Sequence, residues 1–228
     1  MFRQVRLGWL RNKEPLDLVV LNFESLKEYY TELSPRAKNI ICTEGVLNWL
    51  AGHLSANPLL PLPTKLIGNT DNLSEAAKNY SLRIPQECLL DSNLTEGEKA
   101  LDFLTGERPG VILGELEKRF DRSLGILSSL LNPKFSEVDL FLLGKSNIAF
   151  RLFGGNYTID LEDKEIWKDC GMFALGSPSR VTTEGFQWDL EEDKLQMGGL
   201  VSIGNKPLKN ILHVYTTSAL LCTFTFKC

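Results

Sequence analysis

The chain has 228 residues, of which 43% are hydrophobic and 24% charged, the balance of a protein with a real core. Its 25 basic and 29 acidic residues leave a net charge of −4, which argues against a main role in binding nucleic acid, where a basic stripe is expected. No apolar run approaches the roughly 18 residues of a membrane-spanning helix. The opening Met1-Phe2-Arg3-Gln4-Val5-Arg6 is interrupted by charge and lacks the apolar stretch of a signal peptide, so a cytoplasmic location is expected. Five cysteines, an odd number with no Cys-x-x-Cys pair, read as reduced thiols.

Taken in chain order, short apolar runs alternate with helical patterns over the first part. Leu16 to Leu21 reads as a strand and Ser25 to Leu33 as a helix. Ile40-Ile41-Cys42 is a second strand. Behind it Val46, Trp49, Leu50, His53 and Leu54 fall at i, i+3, i+4, i+7 and i+8 and predict one buried helix face. Leu66-Ile67-Gly68 is a third strand, with Asn72 or Ser74 as cap of the next helix. Gln86 to Leu90 and Val111 to Gly114 are further strands. Leu94, Leu101 and Leu104 mark the helix between them, and Leu124, Leu127, Leu130 and Leu131 the helix after. This alternation predicts an α/β domain, residues 1–140, with a mostly parallel sheet.

From about residue 141 the pattern becomes all-β. Phe150 to Phe153, a Gly154-Gly155-Asn156 turn and Tyr157 to Leu161 predict a hairpin. Val181-Thr182-Thr183, Phe186-Gln187-Trp188, Gly199 to Ile203 and Ile211 to Tyr215 are strand-like. Cys222, Phe224 and Phe226 share one face of a last strand. Residues 141–228 are expected to form a β-sandwich.

Standard catalytic motifs are missing. The two histidines, His53 and His213, make no His-Glu-x-x-His metal site, and His53 reads as a packing residue. There is no Gly-x-x-x-x-Gly-Lys phosphate loop, no Gly-x-Gly-x-x-Gly after a strand and no Gly-x-Ser-x-Gly elbow. What stands out is a set of acidic residues where strands give way to helices: Thr43-Glu44-Gly45, Gly68-Asn69-Thr70-Asp71-Asn72, Asp91-Ser92-Asn93-Leu94-Thr95-Glu96, and the stretch from Gly114 to Arg119-Phe120-Asp121. In an open α/β sheet, ligands bind beyond the carboxyl ends of the strands. Hard carboxylate oxygens with a forked Arg cation suit a Mg²⁺–polyphosphate ligand. Acidic residues are equally common as helix caps, so composition and spacing leave the two readings even.

The same loops, in this order, resemble the thiamine pyrophosphokinases, which transfer the pyrophosphoryl group of ATP to thiamine. Ile41-Cys42-Thr43-Glu44-Gly45-Val46-Leu47-Asn48 sits where the family has A-D-G-G-A-N, and Gly68-Asn69-Thr70-Asp71-Asn72-Leu73 resembles its G-D-x-D-S-I. Asp91 to Glu96 followed by Lys99-Ala100-Leu101 resembles D-Q-D-x-T-D with its K-x-L helix, and Arg119-Phe120-Asp121 the family's R-x-D. The second half is closer: Val181-Thr182-Thr183-Glu184-Gly185-Phe186-Gln187-Trp188-Asp189-Leu190 resembles V-T-T-x-G-L-x-W-x-L, and Gly199 to Asn205 resembles G-x-x-S-x-S-N.

The resemblance implies an α/β domain followed by a β-sandwich, a homodimer with each active site shared between subunits, and ATP and thiamine as substrates with Mg²⁺ as cofactor. It implies Glu44, Asp71 and Glu96 as metal ligands, with Asn69 at a further acidic position and Asp91 beside them. Asp71, Glu96, Arg119 and Asp121 would carry catalysis, Thr95 and Arg119 facing phosphate. Asp121, Ser202 and Asn205 would bound the substrate pocket, and Trp188 would stack on the thiamine pyrimidine. The departures lie in the acidic loops. Asn69 replaces an aspartate, Glu44 and Glu96 are each a methylene longer than the family's aspartates, and Glu115 and Lys118 fill a glycine-rich turn. They raise an alternative: a catalytically impaired relative that still binds thiamine or a nucleotide.

Overall fold

The computed structural model describes residues 2–22, 24, 26–87, 95–114 and 120–227. The chain divides into two units, Pro15–Lys145, and Met1–Glu14 joined with Ser146–Cys228. The first strand, β1 (Phe2–Arg6), therefore belongs with the second half. The sequence division at residue 140 is corrected at both ends. The chain changes unit at Lys145, and the first 14 residues leave the α/β unit because β1 is recruited as a strand by a sheet of the β unit.

The α/β unit follows the predicted alternation: β2 (Leu16–Val20), α1 (Lys27–Leu33), β3 (Ala37–Thr43), α2 (Glu44–Ala56), β4 (Lys65–Ile67), α3 (Glu75–Ser81), β5 (Gln86–Glu87), α4 (Glu96–Leu101), β6 (Gly110–Leu113), α5 (Phe120–Leu131) and β7 (Leu140–Leu143). The strands line up as β7-β6-β2-β3-β4-β5, and every pairing among them is parallel. Leu18-Val19-Val20, Val111-Ile112-Leu113 and Leu140 to Leu143 are buried throughout, as strands covered on both faces must be. Ser74 caps α3, its hydroxyl accepting from the Ala77 N–H at 3.3 Å. Cys88 to Leu90 of the predicted fourth strand and Leu94 of the predicted helix lie outside the described residues.

Helix α2 turns differently from expectation. It buries Val46, Leu47, Leu50, Ala51 and Leu54, a stripe rotated by roughly 60° from the predicted one. Trp49 is left 60% exposed. His53, expected on the packed face, lies outside the buried stripe and is half-buried, its Nε2 2.9 Å from the Thr31 hydroxyl.

The β unit contains β8 (Asn147–Leu152), β9 (Gly155–Asp160), β10 (Trp167–Phe173), β11 (Ser179–Glu184), β12 (Asp193–Leu195), β13 (Ser202–Asn205), β14 (Ile211–Thr216) and β15 (Leu220–Phe226). One sheet has the order β1-β9-β14-β11-β12, while β13-β10-β15-β8 run side by side in another. Burial alternates along β9, β11 and β14, so one face of that sheet carries core and the other meets solvent. On the other sheet Trp167, Phe150 and Phe224 pack together, with Phe224 5.5 Å from Trp167 and 5.9 Å from Phe150 between ring centroids.

Two expectations in this unit are corrected. β8 and β9 are adjacent in sequence but form no hairpin: β8 pairs with β15, and β9 with β14 and β1. Gly155, at φ +144°, gives the chain the backbone freedom to change sheets there. Phe186-Gln187-Trp188 is a turn rather than a strand, for the hydrogen-bonding reason given below. Among the described residues no helix is long and apolar enough to cross a membrane.

Candidate functional site

The order of the parallel sheet fixes where a ligand can sit. From β2 the chain winds outward through β3, β4 and β5, then returns to add β6 and β7 on the other side. The direction reverses between β2 and β6, and such switch points open a crevice at the carboxyl ends of the strands. A cleft of about 710 Å³ lies there. Its walls are Leu21 and Asn22 after β2, Val46 and Trp49 on α2, Thr95 and Glu96 opening α4, and one face of α5. On α5 that face carries Asp121, Arg122, Gly125, Ile126 and Ser129, a helical stripe. Gly45 and Gly125 have no atom within 4 Å of where a Cβ would stand, so both leave cleft space unfilled.

Two carboxylates meet at one side. Gly68 follows β4 at φ +120°, and a Cβ built on it would lie 3.2 Å from Glu44 Cβ and 3.2 Å from Glu96 Oε1. The glycine thus supplies a left-handed turn and the room in which the Glu44 and Glu96 side chains approach. Partial burial and the Glu44 charge push the Glu96 carboxyl above the ordinary range, while Arg122 draws it back in smaller measure. A divalent cation beside the pair would relieve this repulsion, and carboxylate oxygens are the donors that Mg²⁺ takes. The residues fit such an ion. Among the described residues no three His, Cys, Asp or Glu side chains form a closed metal cluster, so remaining ligands would be phosphate oxygens and water.

The other predicted residues divide. Asn69 and Asp71 are exposed and bonded to each other, the Asn69 amide donating to Asp71 Oδ2 and Asn69 Oδ1 accepting from the Asp71 N–H at 3.2 Å. Thr95 lines the cleft, but its hydroxyl is engaged in capping α4, accepting from the Glu98 N–H at 3.1 Å in a box with Glu98. Asp121 faces the cleft from the first turn of α5. Asp91 and Arg119 lie outside the described residues. Sequence reasoning missed Arg122, the described cation that lines the cleft and acts on Glu96. Its signal was the second basic residue within three of Arg119, on the helix that carries Asp121.

In the β unit, Thr183, Gly185 and Asp189 build the turn that presents Trp188. The Asp189 carboxylate accepts from the Thr183 hydroxyl at 3.1 Å and from the Gly185 and Phe186 N–H groups at 3.2 and 3.1 Å. Gly185, at φ +101°, bends the chain there. Asn205 clamps the other side. Its Oδ1 accepts from the Trp188 N–H at 3.1 Å and the Lys206 N–H at 2.9 Å, and its Nδ2 donates to the Trp188 carbonyl at 2.7 Å. These bonds take the place of a ladder, which is why the segment is not a strand. The indole of Trp188 is held out, 56% exposed, whereas Asn205 is 2% exposed with its amide engaged in three hydrogen bonds. Asn205, expected at a pocket wall, therefore acts on Trp188. Ser202 opens β13 opposite Met172, partly buried. The organising roles of Thr183 and Asp189 were not foreseen.

Comparison with known proteins bears on both units. Residues 156–221 match the family described as thiamin pyrophosphokinase, vitamin B1 binding domain. The chain is 30% identical to thiamine pyrophosphokinase 2 of Arabidopsis thaliana over 92% of its own length and 86% of that protein's. It is 26% identical to thiamine pyrophosphokinase 1 of Oryza sativa subsp. japonica, covering 92% and 87%. Among solved structures, the thiamin pyrophosphokinase of Candida albicans superposes with a TM-score of 0.86 at 15% identity, over 99% of this chain and 93% of that one. The yeast enzyme does so at 0.81 and 17%, over 100% and 92%. At these identities the structural likeness is one of fold.

Proposed function

The chain belongs to the thiamine pyrophosphokinase family, and from that premise we propose that it is a thiamine diphosphokinase, moving the pyrophosphoryl group of ATP to the hydroxyl of thiamine. The observation that carries this reading is the approach of Glu44 and Glu96 over Gly68, with Glu96 also lining the cleft at the switch point of a parallel sheet. In the reaction the thiamine hydroxyl oxygen bonds to the β-phosphorus, and the bond from that phosphorus to the α–β bridging oxygen breaks. AMP departs with the electron pair, and the hydroxyl proton is released. Little covalent chemistry falls to the protein, so positioning and charge neutralisation carry most of the rate.

Glu44 and Glu96 would hold Mg²⁺, which supplies neutralising charge to the polyphosphate when bound. Arg122 offers a forked cation to the phosphate oxygens, with Arg119 as a second by resemblance. Trp188 offers a flat face to the thiamine pyrimidine, and Asn205 with Asp189 keeps it presented. A homodimer, with each site shared between the α/β unit of one protomer and the β unit of its partner, is part of the proposal. So is a cytoplasmic setting, which suits the free, buried thiols of Cys42, Cys170 and Cys222.

The test is direct. Purified protein given Mg-ATP and thiamine should release AMP and thiamine diphosphate in equal amounts. A folded sample releasing no thiamine-dependent AMP overturns the reading. Within it, Arg122→Gln should raise the KM for ATP by about tenfold or more, since a hydrogen bond to a charged group is worth ~1.5–3 kcal/mol. Arg122→Lys should recover part of the loss, because a point charge replaces the fork. Removing Arg122 also removes a charge that lowers the Glu96 pKa, so the acidic limb of the pH–rate profile should move to higher pH. An ATP KM that does not move would remove Arg122 from the phosphate site.

A further inference from the structure

The buried stripe of α2 ends before Trp49, so the largest apolar side chain of the helix is left 60% exposed against the cleft. Exposing an indole forgoes burial that would stabilise the fold. The ground around it is also open. Gly45, one turn earlier, and Gly52, three residues later, have no atom within 4 Å of a Cβ position, so neither position adds a side chain beside the ring. Glu44, at the start of the same helix, belongs to the carboxylate pair. The two lie five residues apart, about 7.5 Å along the axis and roughly 140° around it. The cleft therefore presents the bare aromatic face of Trp49 on its α2 wall and the charged Glu96 and Arg122 on others, the polarity of a ligand with a flat heteroaromatic ring and an anionic tail.

We propose that Trp49 is the platform on which the base of the nucleotide stacks, the polyphosphate lying toward Glu44, Glu96 and Arg122. This rests on the diphosphokinase reading and adds to it the residue that recognises the ring. An indole is suited to the task because every base offers a π-face, and it needs no partner edge. The other tryptophans are placed otherwise: Trp9 and Trp167 are 1% and 2% exposed, and Trp188 belongs to the turn in the β unit.

The experiment uses the full chain in a Trp188→Phe background, leaving Trp49 as the exposed fluorophore. ATP and AMP with Mg²⁺ should quench its emission. Inorganic tripolyphosphate, which has no ring, should compete with ATP without quenching. By calorimetry on the otherwise wild-type chain, Trp49→Ala should weaken ATP binding about tenfold or more, in line with the loss of one base–aromatic stack. Tripolyphosphate affinity should stay unchanged, and Trp49→Phe should keep most of the ATP affinity. Equal weakening of ATP and tripolyphosphate would mean that Trp49 only supports α2, and unaltered ATP binding would mean that it does nothing for the ligand. Either result overturns the platform. Failure of the underlying reading looks different: the wild-type protein would then bind no ATP and form no AMP.

Discussion

Glu96→Gln should cost catalysis roughly 10²–10³ in kcat and at the same time raise the thermal midpoint of the metal-free protein at pH 7. The two effects share one cause. Burial and the Glu44 charge raise the Glu96 pKa above its ordinary 4.5, so the fold disfavours the ionised form. An acid whose folded pKa is raised contributes stability that is intact below the unfolded value and lost as pH climbs through the folded value. Above that window the wild-type protein holds a carboxylate it would be more stable without, and the neutral amide removes the penalty. The gain should shrink toward pH 4, below the ordinary 4.5, where Glu96 is mostly protonated in both states. Mg-ATP should reverse the order, because the wild-type pair then has the charge it was arranged to meet and the variant does not. Thermal melts at pH 4 and pH 7, with and without Mg-ATP, read all four conditions. A variant less stable than wild type at pH 7 without metal would show that the Glu44–Glu96 approach is not repulsive, and unchanged turnover would take Glu96 out of the site. Such a trade of stability for function is what a working charged cleft requires.

The sequence made the α/β unit legible because its strands are buried on both faces. Leu18-Val19-Val20 or Val111-Ile112-Leu113 can be little else between helical repeats, and parallel pairing follows from the helical crossovers. β1 was not legible. Phe2, Arg3, Gln4 and Arg6 are exposed and only Val5 is buried, so the strand owes its existence to β9, more than 150 residues away, and carries almost no pattern of its own. The false hairpin at Gly154-Gly155 has the same root: local turn residues announce a reversal but do not say which strand receives the chain.

The candidate site divides along a similar line. Glu44 and Glu96 were found from their loops, because carboxylates after parallel strands must gather at one end of the sheet. Trp49 and Arg122 were missed because facing a cleft depends on helix rotation. Trp49 lies about 60° from the nearest buried residue of its helix, too fine a difference for an i, i+3, i+4 pattern that includes it. Asn205 was identified as functional, but its job is one that spacing does not express. Its three hydrogen bonds go to backbone groups, and backbone groups leave no trace in a sequence.

That job makes Asn205→Asp the most severe of the isosteric changes expected in the β unit. The carboxylate has the shape of the amide, and its Oδ1 can still accept from the Trp188 and Lys206 N–H groups. The other oxygen, however, would replace a donor 2.7 Å from the Trp188 carbonyl, setting a negative charge against a lone pair at a residue 2% exposed. A buried donor lost and a buried charge gained should destabilise the unit by about 3 kcal/mol. The loosened Trp188 turn should raise the KM for thiamine at least tenfold while leaving ATP binding to the α/β unit unaltered. The defect carries its own pH signature. Once protonated, the introduced carboxyl can donate to the carbonyl as the amide did, so its folded pKa is raised, and the stability deficit should be small near pH 4 and grow as pH rises. Asn205→Ala removes the same donor without adding charge, and its deficit should be independent of pH. Urea titrations of the two variants at pH 4.5 and pH 7.5 separate these cases. If the two lose stability equally at both pH values, the contact with the Trp188 carbonyl does not govern this turn, and the presentation of Trp188 rests instead on Asp189 and its three donors.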